Sequence, residues 1–513
     1  MQVETFFAHH GIRDNPFAAE EARLDPVLSR LPRDQAAHPE LPKVLGQIDS
    51  PSTSVVFGEK GTGKTALRLH IAHLIDGHNR DQPARRVACV AYDDLNPVLD
   101  RLLRHHRQDR DRLLRAFRLE DHQDAILSAA TTKLVDAALG DAHATPDNPP
   151  ILLPESDRRS LRKRLGSDGR RDLLILAALY DAPPGGSGFD RFISLRKRLG
   201  SGSSLALPAA YTLAILLAIA AAVLAIGAWL TAPADRPWWL MPALGVAGAG
   251  AIVCGVFWGW TQLRCWWLAG RIDRETPAVE RVAGSLRRAL TTFRSSTLAK
   301  EPLPTATIAR DEASDARYQL TRKLVEVLAR LDHAGLTVLL DRLDEPTLIA
   351  GDAEKMKAVI WPLFDNKFLK QDRVGLKLLL PIELRFMLNK EDPDFFQRAR
   401  LDKQSMIDRL AWSGTTLYDL CSRRLQACLG PGSKVALVDL FEDDVSTQML
   451  IDALDQMQQP RDAFKFLYRV VREHCRLVPE DAPTFRIPRL TLETVRRDEA
   501  RRVDEFFRGF APA

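Results

Sequence analysis

Cysteine is scarce in this sequence of 513 residues, and its six cysteines are scattered. They include no Cys-x-x-Cys pair, so neither a disulfide framework nor a zinc ribbon is expected. Neither charge sign is in large excess: 72 Lys and Arg face 67 Asp and Glu, a net charge of +5 with no polycationic character. The N-terminus lacks the basic and apolar regions of a secretory signal peptide. The length predicts roughly two to four domains.

Charge disappears altogether from the middle of the chain. Residues 199–234 and 237–263 contain no Asp, Glu, Lys or Arg, and the first run is rich in Leu, Ile and Ala. Because roughly 20 apolar residues span the core of a bilayer, we predict two transmembrane helices at about 207–232 and 238–263, joined by a short turn. The alternative is a pair of buried helices in the core of a soluble protein. Gly255 and Gly259 have the spacing of a helix-packing motif, although glycine is common in membrane spans anyway.

The basic residues beside these two runs predict their orientation. The turn holds Arg236 next to Asp235, whereas many basic side chains precede the first run and several follow the second. The positive-inside rule therefore places both flanks in the cytoplasm and the turn outside. Tryptophans near the ends of the runs match the aromatic belts found at membrane surfaces. These are Trp229, Trp238, Trp239, Trp258, Trp260, Trp266 and Trp267.

A glycine-rich segment carries the strongest chemical signal, because it lies between a β-branched run at 53–57 and a segment with apolar residues at helical spacing. Strand, glycine-rich loop and helix in this order are typical of a phosphate-binding loop, or P-loop, whose glycines let backbone N–H groups surround phosphates. Lys64 would reach the β- and γ-phosphates, and Thr65 would bind Mg²⁺. The alternative is an ordinary glycine-rich turn. The residues predicted to bind nucleotide are Gly58, Glu59, Lys60, Gly61, Thr62, Gly63, Lys64 and Thr65.

A P-loop protein also needs a carboxylate at the end of a neighbouring strand, and residues 337–346 supply one. Four strand-favouring residues lead directly into Asp341, which we expect to hold Mg²⁺ together with Thr65. Asp344 or Glu345 would then be the catalytic group that orients the attacking water. The alternative is a strand followed by an ordinary acidic turn.

Two further strands are predicted, at 85–92 and 375–382. Strands that alternate with helices predict the fold class: α/β, with a mostly parallel, doubly wound sheet. Ligands of such sheets bind at the carboxyl ends of the strands, where Gly58, Asp341 and Glu383 fall. Arg385, beside one strand end, could sense the γ-phosphate, and Arg461, at the start of a C-terminal helix, could reach the nucleotide from a lid. For each arginine the alternative is a surface or ion-paired side chain.

The order of P-loop, inserted membrane hairpin and acidic strand resembles the KAP family of P-loop NTPases and, more widely, the STAND class of signalling ATPases. In the segment LLDRLDE, Asp341 is followed three and four residues later by Asp344 and Glu345, which is similar to the STAND pattern. KAP proteins often have two adjacent acids here, whereas this chain has Arg342 in the second place. The catalytic base is therefore open between Asp344 and Glu345. The resemblance covers roughly residues 10–480 and implies ATP and Mg²⁺ as ligands and a C-terminal helical lid.

Four parts are expected along the chain. Residues 1–150 begin the NTPase core, and 151–300 form a basic insertion that carries the transmembrane helices. Residues 301–400 complete the core, and 401–513 form the helical lid and C-terminal domain.

The leading hypothesis for function is a membrane-anchored switch that binds and hydrolyses ATP, with lid closure changing its self-association as a homo-oligomer. The resemblance implies a protein of the bacterial inner membrane, mostly cytoplasmic, that acts in signalling or anti-phage defence. The rival hypotheses are an ATPase motor acting on DNA or protein, a transporter completed by a partner, and a nucleotide-binding scaffold that does not hydrolyse. No recognisable nucleic-acid motif is present, and the sequence identifies neither the trigger nor an effector or operon partner, nor ATP over GTP.

Overall fold

A computed structural model describes the chain except for residues 19–20, 32–37, 107–109, 143–144, 146, 184–187, 202–205, 231–236, 283, 306–309 and 508–513. The chain divides into two compact units. The first, here the sheet unit, comprises Met1–Asn96, Ala144–Pro149 and Ala334–Ala513. The second, here the helical unit, comprises Pro97–His143 and Pro150–His333.

The strands all belong to one sheet. They are β1 (Ser54–Gly58), β2 (Arg86–Tyr92), β3 (His333–Leu340), β4 (Val374–Pro381) and β5 (Ser405–Ile407). Within the described residues they form a five-stranded, all-parallel sheet with the order β2-β3-β4-β1-β5. Gly58 pairs with Pro381 and Leu340 pairs with Leu378, so the carboxyl ends of β1, β3 and β4 lie at one edge. The coarse prediction of a parallel α/β fold is therefore confirmed.

The α-helices are, in chain order, α1 (Val3–His9), α2 (Leu41–Leu45), α3 (Lys64–Asp81), α4 (Asn96–His106), α5 (Arg110–Ala116), α6 (Leu119–Leu139), α7 (Glu155–Tyr180), α8 (Gly188–Arg198), α9 (Ala206–Leu230), α10 (Leu240–Glu275), α11 (Ser285–Thr291), α12 (Ser295–Leu298), α13 (Arg310–Ala329), α14 (Ala353–Ile360), α15 (Asn366–Leu369), α16 (Ile382–Leu388), α17 (Pro393–Ala399), α18 (Gly414–Ala427), α19 (Thr447–Asp455), α20 (Pro460–Leu477) and α21 (Arg489–Phe507). Local signals explain several helix starts. Ser413 caps α18 by accepting a hydrogen bond from the Thr416 N–H. Pro460 begins α20 at a position where no N–H is needed.

Both faces of the sheet are covered. On one face, Ile71 of α3 packs in a buried cluster with Val56, Leu339 and Leu379 from three strands. The alternate residues of β1, such as Phe57, are also fully buried. Helix α16, which follows β4 directly, contacts both β1 and β4. Burial on both faces explains why these strands read as continuous apolar runs.

The C-terminal helices of the sheet unit have a second core. It joins Phe6 and Phe17, from the start of the chain, to α18, α19, α20 and α21. The prediction that 401–513 is helical missed one element, because β5 pairs in parallel with β1 at the edge of the sheet. Three residues are too few to show a strand period in sequence, so only the pairing with β1 defines this strand.

The helical unit is joined by a buried ion pair. Asp124 of α6 accepts hydrogen bonds from Arg317 of α13, at 2.9 Å from Nε, and from the Tyr180 hydroxyl of α7, also at 2.9 Å. Such a pair fixes three helices at one point because breaking it leaves a buried charge. Helices α5 and α6 and all but the first residue of α4 belong to this unit, so the contacts divide the chain after Asn96, whereas the sequence predicts a boundary at 150.

Helices α9 and α10 pack against each other, and both are long and apolar enough to cross a membrane. Helix α9 matches the predicted span closely. Helix α10 runs on past residue 263 to Glu275, because nothing in the sequence breaks the helix before Thr276 and Pro277. The predicted turn with Asp235 and Arg236 lies outside the described residues.

The close approach of α9 and α10 does not use the predicted glycine motif. A Cβ on Gly250 would lie 3.0 Å from a methyl carbon of Leu217, whereas Gly255 and Gly259 have no such neighbour within 4 Å among the described residues. Gly250 is therefore the glycine that brings the two helices together, since its missing side chain makes room for Leu217.

Candidate functional site

The glycine-rich loop connects the end of β1 to the start of α3. Gly61 and Gly63 have φ values of 104° and 90°, a region that side chains other than glycine rarely adopt. The Lys64 ammonium folds over this loop and donates hydrogen bonds to the Gly58 carbonyl at 2.7 Å and the Glu59 carbonyl at 2.9 Å. Its charge therefore lies inside the turn of the loop.

Burial lowers the pKa of Lys64, and the negative charges of Asp341, Asp344, Glu383 and Glu59 oppose that shift. Asp341 and Asp344 follow β3, which lies two strands away from β1. Glu383 follows β4, which is next to β1. The fold thus concentrates acidic side chains around one lysine at the carboxyl edge of the sheet.

Asp341 lies at the end of β3 and is only 1% exposed. The Thr65 side chain hydrogen-bonds to its carboxylate, and burial raises the pKa of Asp341. Its Oδ2 atom has no hydrogen-bond partner in the described part of the chain, and the Arg68 Nε lies 3.5 Å away. The structure therefore brings together Thr65 and Asp341, the two residues predicted as metal ligands.

Arg68 was missed by the sequence reasoning. It is fully buried on α3, one helical turn after Lys64, and forms ion pairs with Asp341, with Asp93 at 3.2 Å and with Asp147 at 3.8 Å. The available signal was an arginine within the apolar segment 66–75 that follows the loop. Its buried charge stabilises the Asp341 carboxylate, which would otherwise be costly to bury.

A cavity of about 620 Å³ lies over these groups. Its lining comes from the loop, the turn after β3, the N-terminal segment and the C-terminal helices. A ligand in this cavity would contact all four regions at once. The lining residues are Glu21, Ala22, Arg23, Asp25, Leu28, His38, Lys60, Gly61, Gly63, Lys64, Thr65, Ala66, Leu67, His70, Asp341, Arg342, Asp344, Glu345, Ala350, Gly351, Trp412, Leu420, Arg424, Pro460, Arg461 and Phe464.

The segment before α18 and the start of α20 contact the loop directly. The Trp412 indole N–H donates to the Thr62 carbonyl at 2.9 Å, and Arg461 lines the cavity from the first turn of α20. A Cβ on Gly61 would come within 3.0 Å of the Gln459 Oε1, an atom that is itself buried without a hydrogen-bond partner in the described residues. Gly61 is thus required by its φ and by the close approach of α20.

The predicted site residues fall into two groups. Lys60, Gly61, Gly63, Lys64, Thr65, Asp341, Asp344, Glu345 and Arg461 line one cavity. Four others are not among the residues lining that cavity: Gly58, Glu59, Thr62 and Arg385. The Arg385 Nε donates to Asp408 at 2.8 Å, and its guanidinium also contacts Asn389. This ion pairing corresponds to the alternative stated for Arg385 and gives no support to a role as γ-phosphate sensor.

Comparison with known proteins assigns no family: no protein-family model matches this chain, and no curated protein matches it. The chemistry of the cavity must therefore support any functional proposal.

Proposed function

We propose that the cavity binds a nucleoside triphosphate with Mg²⁺, ATP being the expected nucleotide, and that the chain is a membrane-anchored ATPase acting as a switch. The observation that carries this proposal is the meeting of Lys64, Thr65 and Asp341 at one edge of a parallel sheet, under one cavity. A glycine-rich turn, a lysine and a buried carboxylate in that arrangement provide what a triphosphate needs.

The phosphate groups fit the loop. Backbone N–H groups around Gly61 and Gly63, together with the start of α3, favour negative charge. The Lys64 ammonium would exchange its two backbone carbonyls for phosphate oxygens, which are stronger acceptors because they are charged. The cavity volume of about 620 Å³ also lies within the range of ordinary small-molecule sites.

Mg²⁺ fits the same place, although the protein provides few ligands. No group of three or more His, Cys, Asp or Glu side chains that could hold a metal occurs among the described residues. Mg²⁺ commonly takes only one or two protein oxygens and completes its shell with phosphates and water. The Thr65 hydroxyl would be one of those oxygens, and the other would be the Oδ2 of Asp341, which has no hydrogen-bond partner among the described residues. The ion would neutralise charge on the phosphates.

Hydrolysis requires a group that orients water. Water would add to the γ-phosphorus while the bond from that phosphorus to the bridging oxygen breaks, so that ADP and inorganic phosphate form. The proton of the water would pass to a carboxylate and then to the products. Asp344 and Glu345 both line the cavity and are the two candidates.

Membrane anchoring is supported by the exposure of α9 and α10. Only 6% and 11% of their most apolar windows are buried, unlike the core helices of a soluble protein. Trp229 and Trp238, at the end of one helix and just before the other, are 82% and 88% exposed. We propose that both helices span the membrane, that the turn between them is outside, and that both units lie in the cytoplasm.

A switch is supported by the lining of the cavity, because α20 and Trp412 contact the same loop that would hold the phosphates. A triphosphate would therefore change the contacts of the C-terminal helices and shift their position. The apolar hairpin inserted between the loop and the acidic strand also supports membership of the KAP family. A homo-oligomer and a role in bacterial signalling or anti-phage defence remain part of this proposal through that resemblance alone.

The test is nucleotide binding by detergent-solubilised protein, followed with a fluorescent ATP analogue. Lys64→Ala should weaken binding about 100-fold or more, because a buried ammonium paired with phosphates is lost. Lys434→Ala removes the same charge from an exposed position outside the cavity and should leave binding unchanged.

Equal affinities in wild type and Lys64→Ala would refute the nucleotide site. Turnover should be slow and indifferent to added DNA. Fast turnover stimulated by DNA would favour the motor, and tight binding without any turnover would favour the scaffold.

A further inference from the structure

Arg342 occupies an unusual place in the cavity. It follows Asp341 directly, lines the cavity, and has a φ of 60°, in the left-handed region. Residues with a side chain rarely adopt that conformation, and where they do the position is often part of a functional site. Leu343, the next residue, is fully buried, so the turn places a charged side chain at the cavity between two buried ones.

Arg342 forms an ion pair with Glu345, three residues later. The two side chains are 27% and 48% exposed. A carboxylate oxygen that already accepts from a guanidinium is occupied and is not free to hold an attacking water. Glu345 is therefore less suited to the role of base than its position suggests.

Asp344 differs from Glu345 in this respect. Its carboxylate has no hydrogen bond or ion pair to any residue that the structure describes, while its backbone carbonyl accepts a hydrogen bond from Gly351 at 2.9 Å. Its negative charge acts on Lys64. Asp344 thus lines the cavity with a carboxylate that no described residue holds, on a turn closed by its own backbone carbonyl.

We propose that Arg342 is a catalytic residue supplied by the chain itself, that it contacts the γ-phosphate, and that Glu345 is its partner when no triphosphate is bound. Asp344 then orients the attacking water. This inference rests on the proposed function and assigns roles within the same site.

The exchange of partners follows from charge. A triphosphate brings several negative charges into the cavity, whereas Glu345 offers one, and a guanidinium binds two phosphate oxygens at once through its planar fork. Charge that builds up on the phosphate oxygens during bond cleavage is where an arginine contributes most to the rate. After phosphate is released, Arg342 forms its ion pair with Glu345 again. The water's proton goes to Asp344, and the bond to the bridging oxygen breaks as in the reaction above.

The experiment compares four variants in ATP binding and in single-turnover phosphate release. Arg342→Ala should slow phosphate release about 100-fold or more with ATP affinity changed only a few-fold, because the arginine acts mainly on the transition state. Arg342→Lys should recover only part of the rate, since an ammonium lacks the fork. Asp344→Asn should trap bound ATP, and Glu345→Gln should raise the rate, because Arg342 then has no competing ion-pair partner.

Arg373→Ala is the matched control. Arg373 is also an arginine with positive φ, at 57°, beside an acidic residue, but it precedes β4 and is not among the residues lining the cavity. Its replacement should leave the rate unchanged.

The opposite pattern, with Glu345→Gln trapping ATP and Arg342→Ala as active as wild type, would overturn the inference and make Glu345 the base. If the wild type does not bind ATP, or if Lys64→Ala binds ATP as tightly as the wild type, the proposed function itself is refuted. A fold comparison by far-UV circular dichroism separates either result from misfolding, and Arg342→Lys gives an independent reading if Arg342→Ala does not fold.

Discussion

Strand β4 and helix α9 are both built almost entirely of apolar residues, yet β4 is buried within the protein and α9 is mostly exposed. All eight residues of β4 are buried. Most of α9 is exposed, including Leu216 and Val223. Apolar sequence alone therefore does not tell which surface a segment meets, because burial by protein and burial by lipid satisfy the same hydrophobic requirement.

The single charge in β4 sharpens this comparison. Lys377 is 1% exposed, and its ammonium donates to the carbonyls of Val44 and Ser52, each at 2.7 Å, and of Leu45 at 3.0 Å. Protein surroundings supply acceptors for a buried charge, whereas lipid supplies none. The absence of charge from α9 and its presence in β4 are therefore consistent with the two environments proposed.

The largest expected effect comes from placing a charge on the exposed face of α9. Leu216→Arg should weaken membrane insertion by about 3 kcal/mol or more, the cost of an arginine in place of an apolar residue at the centre of a span. The measurement is the fraction of protein recovered with membranes after carbonate extraction.

Leu477→Arg makes the same change at an exposed leucine of the sheet unit and should have no effect on extraction. Equal membrane recovery for Leu216→Arg and wild type would remove the distinction drawn between α9 and β4.

A smaller effect is expected from removing the charge in β4. Lys377→Met should lower the free energy of unfolding by about 2 kcal/mol, because three backbone carbonyls lose their donor inside the protein. Urea unfolding followed by circular dichroism would measure it, with Lys434→Met as the exposed control. A Met variant as stable as wild type would mean that packing alone determines the stability of β4.

The stability of wild type should also rise with pH where that of the Met variant does not. Burial lowers the pKa of Lys377 to about 8. The unfolded chain keeps that proton up to a pH of about 10.4, so between these values it binds more protons than the folded chain, and folding becomes more favourable as pH rises. The difference between the two proteins should therefore grow between about pH 8 and about 10.4, and a constant difference over that interval would contradict the prediction.

The smallest effect concerns packing inside the hairpin. Gly250→Leu should destabilise the contact of α9 with α10 by about 1 kcal/mol, since a side chain there would displace Leu217. Gly255→Leu is the control, since no described atom lies within 4 Å of a Cβ placed there. An SDS titration followed by tryptophan fluorescence would measure both variants. Equal SDS midpoints for Gly250→Leu and Gly255→Leu would show that the contact of Gly250 with Leu217 does not stabilise the hairpin.

Much of the sheet was predictable because its strands are long apolar runs that end in turn residues. β1, β2 and β4 lie within one residue of their predicted bounds, and β3 begins four residues earlier than the run at 337–340. The short β5 was not predictable, since its pairing with β1 defines it. The end of α10 was missed because Arg264 ends the apolar run without ending the helix.

Individual residues of the candidate site were predictable from the sequence, but the ion pairs between their side chains were not. The spacing of the glycine-rich loop and the acid after β3 predicted a common site for Lys64, Thr65 and Asp341, and all three line one cavity. Arg68 and the pairing of Arg342 with Glu345 depend on contacts between side chains that the sequence does not state. For Arg385 the sequence position was misleading, because it lies just after a strand end near the site while its side chain pairs with Asp408 outside the cavity lining.

The amino-acid sequence by itself determined the parallel α/β class and the two long apolar helices, because these follow from local patterns of apolar residues and turns. The tertiary structure decided which charged side chains share one cavity, which of them compensate each other, and which glycine lets two helices approach. These depend on distances between residues far apart in the chain, and local patterns carry no information about such distances.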